Sequence, residues 1–329
     1  MPKYSIIIPV FNRPDEMSEM LDSLDAQTRK EFELLIIEDG STQKSDHLIE
    51  KYDLDIKYFF KENSGPGDSR NFGMDKAKGE WLLFFDSDCI LPSDYFENLD
   101  EGLLELSPDA FGGPDGAHDS FTTVQKAINY SMTSFFTTGG IRGGKKQLDK
   151  YQPRSFNMGV RRRVFEDVGG FKDIHPGEDP DWSYRIMDAG YKVSLISKAI
   201  VYHKRRIDFS KFAKQVYKFG VVRGILNRWH PGSGKLVYTL PSFFLLGVLS
   251  IIVGSFIVSP TLLYFLIFYA CLVIMGSMLS KNSLFVSLLA VPAAFVQLLG
   301  YGFGYLLSFW KLRILGRNER KAFPSFFYK

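Results

Sequence analysis

Between positions 236 and 310 the chain runs for 75 residues with one charge, Lys281. That single feature decides the architecture, because a run so apolar needs either a lipid solvent or a very large protein interior. Residues 236–258 and 260–279 are each long enough to cross about 30 Å of hydrocarbon as a helix. Ser259-Pro260 supplies a tight turn between them. A third apolar stretch, 283–310, is interrupted by Pro292, Gly300, Gly302 and Gly304. A buried helical hairpin in a soluble protein is the alternative, and the hydropathy argues against it. Apart from Lys281, which falls in a loop, the run holds no acid or base, so a substrate-conducting transporter is disfavoured. The region reads as an anchor, or as a platform for a lipid substrate, with two to three spans over 236–311.

The flanks are cationic. Residues 203–235 hold nine Lys/Arg and one acid, Asp208; the tail from 311 holds six and one acid, Glu319. That leaves 24 basic against 35 acidic residues in 1–202, although the whole chain is only +3. The expected blocks are a soluble domain at 1–206, a basic linker at 207–235, the membrane region, and a basic tail at 312–329. The acidic folded part argues against nucleic-acid binding. An apolar share of 45% excludes disorder. Two cysteines, Cys89 and Cys271, cannot staple a fold and suit a reduced, cytosolic setting. Met1-Pro2-Lys3 leads straight into a strand-like run, so no signal peptide is expected and the soluble domain is expected in the cytosol. The topology conflicts with itself. The basic linker argues for a cytosolic residue 235, yet three spans would then carry Lys311, Arg313, Arg317, Arg320 and Lys321 outside. Either the third stretch is re-entrant, or the tail is tolerated outside.

Residues 209–229 alternate apolar and basic positions at helical spacing. Phe212, Val216, Phe219 and Arg223 follow one register, and Lys211, Lys214 and Lys218 lie elsewhere. This pattern suits an amphipathic helix lying on anionic lipid, the alternative being an ordinary surface helix.

The soluble half alternates strand and helix. YSIIIPV (4–10), FELLIIE (32–38), 55–60 and GEWLLFF (79–85) read as strands, and 14–28 as a helix with Met17, Met20, Leu21 and Leu24 on one face. This order gives an α/β fold with a mainly parallel sheet. Ligands in such sheets bind at the carboxyl ends of strands. The informative residues follow the strands: Phe11-Asn12-Arg13-Pro14, then Glu38-Asp39-Gly40-Ser41, then Asn63 to Gly67 with Arg70-Asn71, then Asp86-Ser87-Asp88. No G-x-G-x-x-G follows the first strand, which removes the main support for a dinucleotide site. Each remaining motif is weak alone; D-G-S is usually a turn and D-x-D is common by chance.

In this order, SIIIPVFNR, EDGS and GPGDSRNFGMDKAKGEWLLFFDSD resemble the nucleotide-sugar domain of family 2 glycosyltransferases, the inverting GT-A type. FNMGV (156–160), RRRVFEDVGGF (161–171) and GEDPDWSYRIMDAGYKV (177–193) match the acceptor half, so the resemblance covers about residues 4–206. Residues 112–144, with a helix expected at 124–137, also resemble transferases that build bacterial exopolysaccharide repeats on a lipid carrier. The resemblance implies a GT-A domain, an NDP-sugar donor with UDP-sugar favoured, a lipid-linked or glycan acceptor, and Mg²⁺ or Mn²⁺.

It also implies roles. Pro9 and Phe11 would line the nucleotide, with Phe11 covering the base. Asp39 would accept from an imide N–H such as that of uracil. Arg70 would reach the base or phosphate, or form a surface ion pair. Asp86 would contact the ribose or a metal-bound water, and Asp88 would ligate the metal through hard oxygen donors. His203, ending an expected strand at 198–202, would close the metal or diphosphate site, or bond backbone. Arg205 and Arg206 would clamp diphosphate, or face headgroups. Asp179 would be the general base that takes the acceptor hydroxyl proton. Glu178, Asp181 and Asn157 would support it or contact the acceptor; the acids alternatively only favour a helix start. Pro180 restricts Asp179 to extended geometry and fits a helix beginning at Pro180. The Q-x-x-R-W set of polymerising synthases is absent, since Gln215 lies far from Arg228-Trp229. Single-sugar transfer is therefore favoured. Residues 139–149, rich in glycine and lysine, suggest a mobile lid.

Three alternatives compete. In one, the acceptor is polyprenyl phosphate itself. A sugar nucleotidyltransferase would want a glycine-rich basic loop after the first strand, and PVFNRPDE is not one. A catalytically dead scaffold subunit would be expected to lose one of Asp39, Asp86, Asp88 or Asp179, and all four are present.

Overall fold

The structure is a computed structural model that describes residues 2–116, 121–138, 151–203 and 208–328, His203 in its backbone only. The chain forms two compact units that are interleaved in sequence. Met1–Asp119, Lys150–Lys204 and Ser325–Lys329 make up the first; Ser120–Asp149 and Arg205–Pro324 make up the second. Residues 121–138 thus group with the apolar helices, and 325–328 with the sheet.

Along the chain run β1 (Tyr4–Val10), α1 (Pro14–Asp25), β2 (Phe32–Asp39), β3 (Ile56–Lys61), α2 (Pro66–Lys76), β4 (Trp81–Phe85), β5 (Cys89–Ile90), α3 (Tyr95–Leu106), β6 (Ala110–Gly112) and β7 (Asp115–Gly116). Then follow α4 (Thr123–Thr133), α5 (Phe135–Thr138), β8 (Asn157–Arg161), α6 (Arg162–Val168), α7 (Glu178–Asp188), β9 (Val193–Leu195) and β10 (Val201–His203). The second unit continues with α8 (Phe209–Trp229), α9 (Leu240–Ile257), α10 (Leu263–Leu279), α11 (Leu284–Phe309) and α12 (Glu319–Ala322).

The main sheet has the order β3-β2-β1-β4-β8-β6-β9. The pairs β3·β2, β2·β1, β1·β4 and β6·β9 are parallel; β8 alone runs against its neighbours β4 and β6. Successive side chains of a strand point to opposite faces. Ile6 and Ile8 pack with α1 and α3 through Met17, Leu21 and Leu99, while Ile7 packs on the other face with Met74, Trp182 and Ile186. Both faces are covered, which is why IIIPV and ELLII carry no polar alternation. The carboxyl ends of β1, β2 and β4 therefore open at one edge, and the loops that follow them build the site. A small second sheet, β5-β10-β7, pairs His203 with Cys89 in register.

Helix α7 starts at Glu178, two residues before the start at Pro180 read from the sequence. Proline is tolerated there because first-turn N–H groups have no intrahelical partner. Glu178, Asp179 and Asp181 all fall in that first turn, where the positive end of the helix favours them.

In the second unit three helices are long and apolar enough to cross a membrane: Leu236–Ile257, Pro260–Leu279 and Leu284–Ile314. The helix α8, expected as an amphipathic helix, turns part of its apolar stripe onto protein. Phe212 and Val216 are buried with Ile128 and Met132 of α4 and Ala293 of α11. The apolar face is covered by protein because α11 offers small residues there. Gly304 is one: a methyl group at this position would collide with the Tyr217 carbonyl of α8. Lys211, Lys214 and Lys218 remain exposed on the other face.

Candidate active site

The loop after β2 is built around two buried acids with different partners. Glu38 accepts hydrogen bonds from Ser41 Oγ, from Ser45 N at 2.9 Å and from Tyr58 OH at 3.3 Å, which fixes the turn. Asp39 faces the next loop: Oδ1 accepts from Lys61 Nζ at 2.7 Å and Ser64 N at 3.0 Å, and Oδ2 accepts from Gly65 N at 2.9 Å. A carboxylate offers about four lone-pair sites, so Asp39 holds the 63–65 turn and keeps one acceptor site for a ligand. Asn12 joins the first two loops, its Oδ1 accepting from Thr42 N at 2.8 Å and Gln43 N at 2.9 Å. Next to it Phe11 is 49% exposed at the strand end, and Pro9 is half-buried within β1.

Asp86 and Asp88 follow β4, and each has a guanidinium on one oxygen. Arg70 Nη2 reaches Asp86 Oδ1 at 2.6 Å, and Arg13 Nη1 reaches Asp88 Oδ2 at 3.0 Å. Arg13 also approaches Glu16 at 3.4 Å. Arg70 is neither on the surface nor open to a ligand along its length. It is buried in α2, lies against the Phe171 ring, and extends Nη1 to Glu178 Oε1 at 3.5 Å. Its role here is to tie the end of β4 to the start of α7.

At that start, Glu178 Oε1 also meets His175 Nδ1 at 3.1 Å. Burial works against the Glu178 charge, but His175 and then Arg70 outweigh it and hold the carboxyl down at about 2. The same pairing raises His175 above the ordinary imidazole value, against the effect of its burial. Asp179 is the opposite case. Burial pushes its carboxyl up, Arg154 at 3.6 Å pulls it down, and Glu178 pushes it up again; the net direction is upward. Two adjacent carboxyls are thereby shifted in opposite directions, Glu178 down and Asp179 up.

Two expected contributors are occupied elsewhere. Asp181 is fully buried and accepts from Lys172 Nζ at 3.2 Å and Arg185 Nε at 2.9 Å. Asn157 is fully buried and bridges Tyr95 OH at 2.7 Å and the Ala199 carbonyl at 2.8 Å. Both hold structure together rather than facing an acceptor. The backbone of His203 lies opposite Cys89, one residue beyond Asp88. Its side chain, Arg205, Arg206 and the proposed lid at 139–149 lie outside the described residues. Among the described residues, no group of three His, Cys, Asp or Glu is clustered as a metal cage. The donor set still fits Mg²⁺ or Mn²⁺: two hard carboxylates, Asp86 and Asp88, stand two residues apart after β4.

Sequence reasoning assigned no role to Arg13, Arg154, His175 or Tyr328. Arg13 stands in the SIIIPVFNR motif, which gives a role only to Pro9 and Phe11, and His175 lies three residues before Glu178. Tyr328 had no local signal. Residues 326–328 run beside 173–175, with His175 N donating to Phe326 O at 2.8 Å and Tyr328 N to Asp173 O at 3.1 Å.

Comparison with known proteins agrees with this geometry. A model of glycosyl transferase family 2 matches residues 5–169, and one of glycosyl transferase family 21 matches 150–322. The chain is 28% identical over 270 residues to glycosyltransferase AglE of Haloferax volcanii, covering 76% of this chain and 82% of that one. It is 32% identical over 117 residues to the GalNAc(5)-diNAcBac-PP-undecaprenol beta-1,3-glucosyltransferase of Campylobacter jejuni, 34% of this chain and 38% of that one. Several other curated relatives are matched over only 15% to 32% of their own length. A mannosyltransferase from Pyrobaculum calidifontis, solved with GDP-Man and Mn²⁺, shares the fold with a TM-score of 0.58 at 16% identity, over 93% of this chain and 87% of that one. The ordered strand-end motifs, the GT-A-type sheet and a family model spanning half the sequence make this chain a member of glycosyl transferase family 2.

Proposed function

We propose that the chain is a membrane-bound inverting transferase that moves one sugar from a nucleotide-diphosphate sugar, with UDP-sugar favoured, to a hydroxyl of a lipid-linked or glycan acceptor. The observation that carries this reading is the divided pair at the start of α7. Glu178 is held low by His175 and Arg70, while Asp179 beside it is raised by burial, its side chain 14% exposed. A base so placed takes the acceptor proton as the acceptor oxygen bonds to the anomeric carbon. The bond from that carbon to the diphosphate breaks in the same displacement, its electron pair leaves with the diphosphate, and the configuration inverts.

Asp39 keeps an acceptor site for the base edge, and exposed Phe11 offers a ring face to the nucleotide. Asp86 and Asp88, with His203 whose backbone pairs with Cys89, would hold Mg²⁺ or Mn²⁺, whose chemistry there would be neutralisation of charge on the leaving diphosphate. Arg13 and Arg70 keep the two carboxylates oriented. Three apolar helices and a basic helix α8 support a cell-membrane location with the catalytic unit on the cytosolic side. The undecaprenol-linked substrate in the name of the Campylobacter relative supports a lipid-linked acceptor in cell-surface polysaccharide synthesis.

The test is calorimetry of UDP and GDP binding to the detergent-solubilised protein, with and without Mn²⁺, beside Asp88→Asn. Metal-dependent UDP binding that the variant loses supports the reading. A preference for GDP keeps the mechanism and changes the donor class. A folded protein that binds neither nucleotide points instead to a scaffold subunit.

A further inference from the structure

The donor edge carries one aromatic residue that comes from far along the chain. Residues 326–328 pair antiparallel with the loop before α7: two main-chain hydrogen bonds clamp the segment, Ile174 bridges Phe327, and Phe326 and Ile174 are both buried. This clamp fixes where the next side chain goes. The Tyr328 ring lies against Gly65, so closely that a methyl group on Gly65 would occupy the ring's own space. Gly65 has a φ of +92°, which a side chain rarely adopts, so glycine serves both backbone and ring.

Gly65 is the residue whose amide is held by Asp39 Oδ2 at 2.9 Å. The ring thus stands one residue's width from the carboxylate assigned to the nucleotide base. On its other side the ring centroid is 6.2 Å from that of His175, the partner of Glu178. Glu178 and Asp39 raise the phenol and Arg70 lowers it, beyond the upward effect of its burial, in keeping with a place at the same edge. The hydroxyl has no hydrogen-bond partner among the described residues, and the side chain is only half-buried. A pinned backbone, an open ring and an unengaged hydroxyl describe a surface kept for a ligand.

We infer that Tyr328 is a nucleotide-contacting residue of the donor site, its ring supplying an apolar wall beside the base subsite marked by Asp39 and Gly65. The inference rests on the donor-site reading above. An aromatic face recognises the flat base of a nucleoside diphosphate, and stacking of this kind contributes about 1–3 kcal/mol per base. The hydroxyl adds a polar tip toward base edge or ribose. Because 326–328 clamp the loop that leads into Glu178 and Asp179, the same segment borders both donor and base.

The experiment uses the full-length protein in detergent, with Mn²⁺. Calorimetry with UDP and GDP is run on the unaltered protein, Tyr328→Phe and Tyr328→Ala, with melting temperatures checked for each. The expected result is binding within about threefold of the unaltered protein for Tyr328→Phe, and a loss of about tenfold or more for Tyr328→Ala, in line with the stacking contribution. Photolysis with 5-azido-UDP (8-azido-GDP if GDP binds better) should label the peptide that contains Tyr328. Undiminished binding by a folded Tyr328→Ala overturns the inference while leaving the donor site intact. Tighter binding by that variant also overturns it, since the ring would then be a competing occupant. Labelling confined to other peptides overturns it as well. If the unaltered protein binds neither nucleotide, the donor-site reading itself fails.

Discussion

His175 Nδ1 lies 3.1 Å from Glu178 Oε1, one residue ahead of the carboxyl that would remove the acceptor proton. The pair is therefore a pH-sensitive brace. The raised His175 contributes stability in full below the unfolded imidazole value, and loses it as pH rises through its raised folded value. The lowered Glu178 contributes above the ordinary carboxyl value, and loses it as pH falls through about 2. The brace is complete between about pH 4.3 and 6.5, the two reference values. Melting temperatures from pH 5 to 9 should fall faster for the unaltered protein than for His175→Gln. Parallel curves would show that the pair has no linked proton.

Asp179 must be ionised to act as base. With its carboxyl raised, kcat/KM should climb with pH and level off above that value. Arg154 pulls it down, so Arg154→Gln should move the acid limb to higher pH, while Asp179→Asn should lower kcat by about 10²–10⁴ and leave nucleotide affinity nearly unchanged. A variant limb that stays put would remove Arg154 from this role. Rates of nucleoside diphosphate release provide the readout.

Arg70 is a bridge whose loss strands an acid. Arg70→Met leaves the buried Glu178 with only His175, and breaking a buried pair in this way costs about 3–5 kcal/mol. Arg70→Lys keeps the charge but not the two-armed reach, and should fall between. Denaturant midpoints for both would test the order, and equal midpoints would sink it.

Chelation should abolish metal-supported nucleotide binding, and Mg²⁺ or Mn²⁺ should restore it in the unaltered protein but not in Asp88→Asn. Arg13→Gln frees Asp88 Oδ2 from its guanidinium and should alter the metal concentration needed for half-maximal binding. A titration of Mn²⁺ against UDP affinity measures this directly. An Arg13→Gln curve that overlays the unaltered one would remove Arg13 from the metal site.

In the second unit, Gly304→Val would force α11 away from the Tyr217 carbonyl. Overpacking of this kind costs about 1–3 kcal/mol. Hydrogen exchange in α8 should rise in the variant while exchange in β1 and β2 stays unchanged; equal protection of α8 would contradict the close approach.

The fold was legible because its signals were regular. Apolar runs at 4–10 and 32–38, each followed by a polar turn, announced central strands and loops at their carboxyl ends. The order of Asp39, Asp86, Asp88 and Asp179 carried over to one edge. What the residues do for one another was less legible. Asn157 and Asp181 sit in the right motifs, yet their polar atoms are taken up by Tyr95, Lys172 and Arg185, and partners at such separations leave no pattern in sequence. The apolar stripe of α8 was visible, but periodicity cannot tell lipid from the small-residue face of α11 as its cover. Tyr328 was invisible for the same reason: 150 residues separate it from Glu178, and only the folded chain makes them neighbours.

The return of 326–328 to the sheet has a consequence of parity. Strand β10 and the segment 325–329 belong to the same compact unit, and 205–324 lie between them. A bilayer is a two-sided partition, and a path that leaves one side and comes back has crossed an even number of times. If these helices lie in a bilayer, two full crossings are expected for such a path rather than three. The hairpin of α9 and α10 supplies two; α11 is the odd helix, more buried in protein than the others at 33% against 11% and 17%. Counted this way, Lys311, Arg313 and Arg317 fall on the side of the cationic linker, and the conflict with the charge rule disappears. A cysteine placed at Ser325, in a Cys271→Ser background, should meet membrane-impermeant reagents on the same face as the catalytic unit.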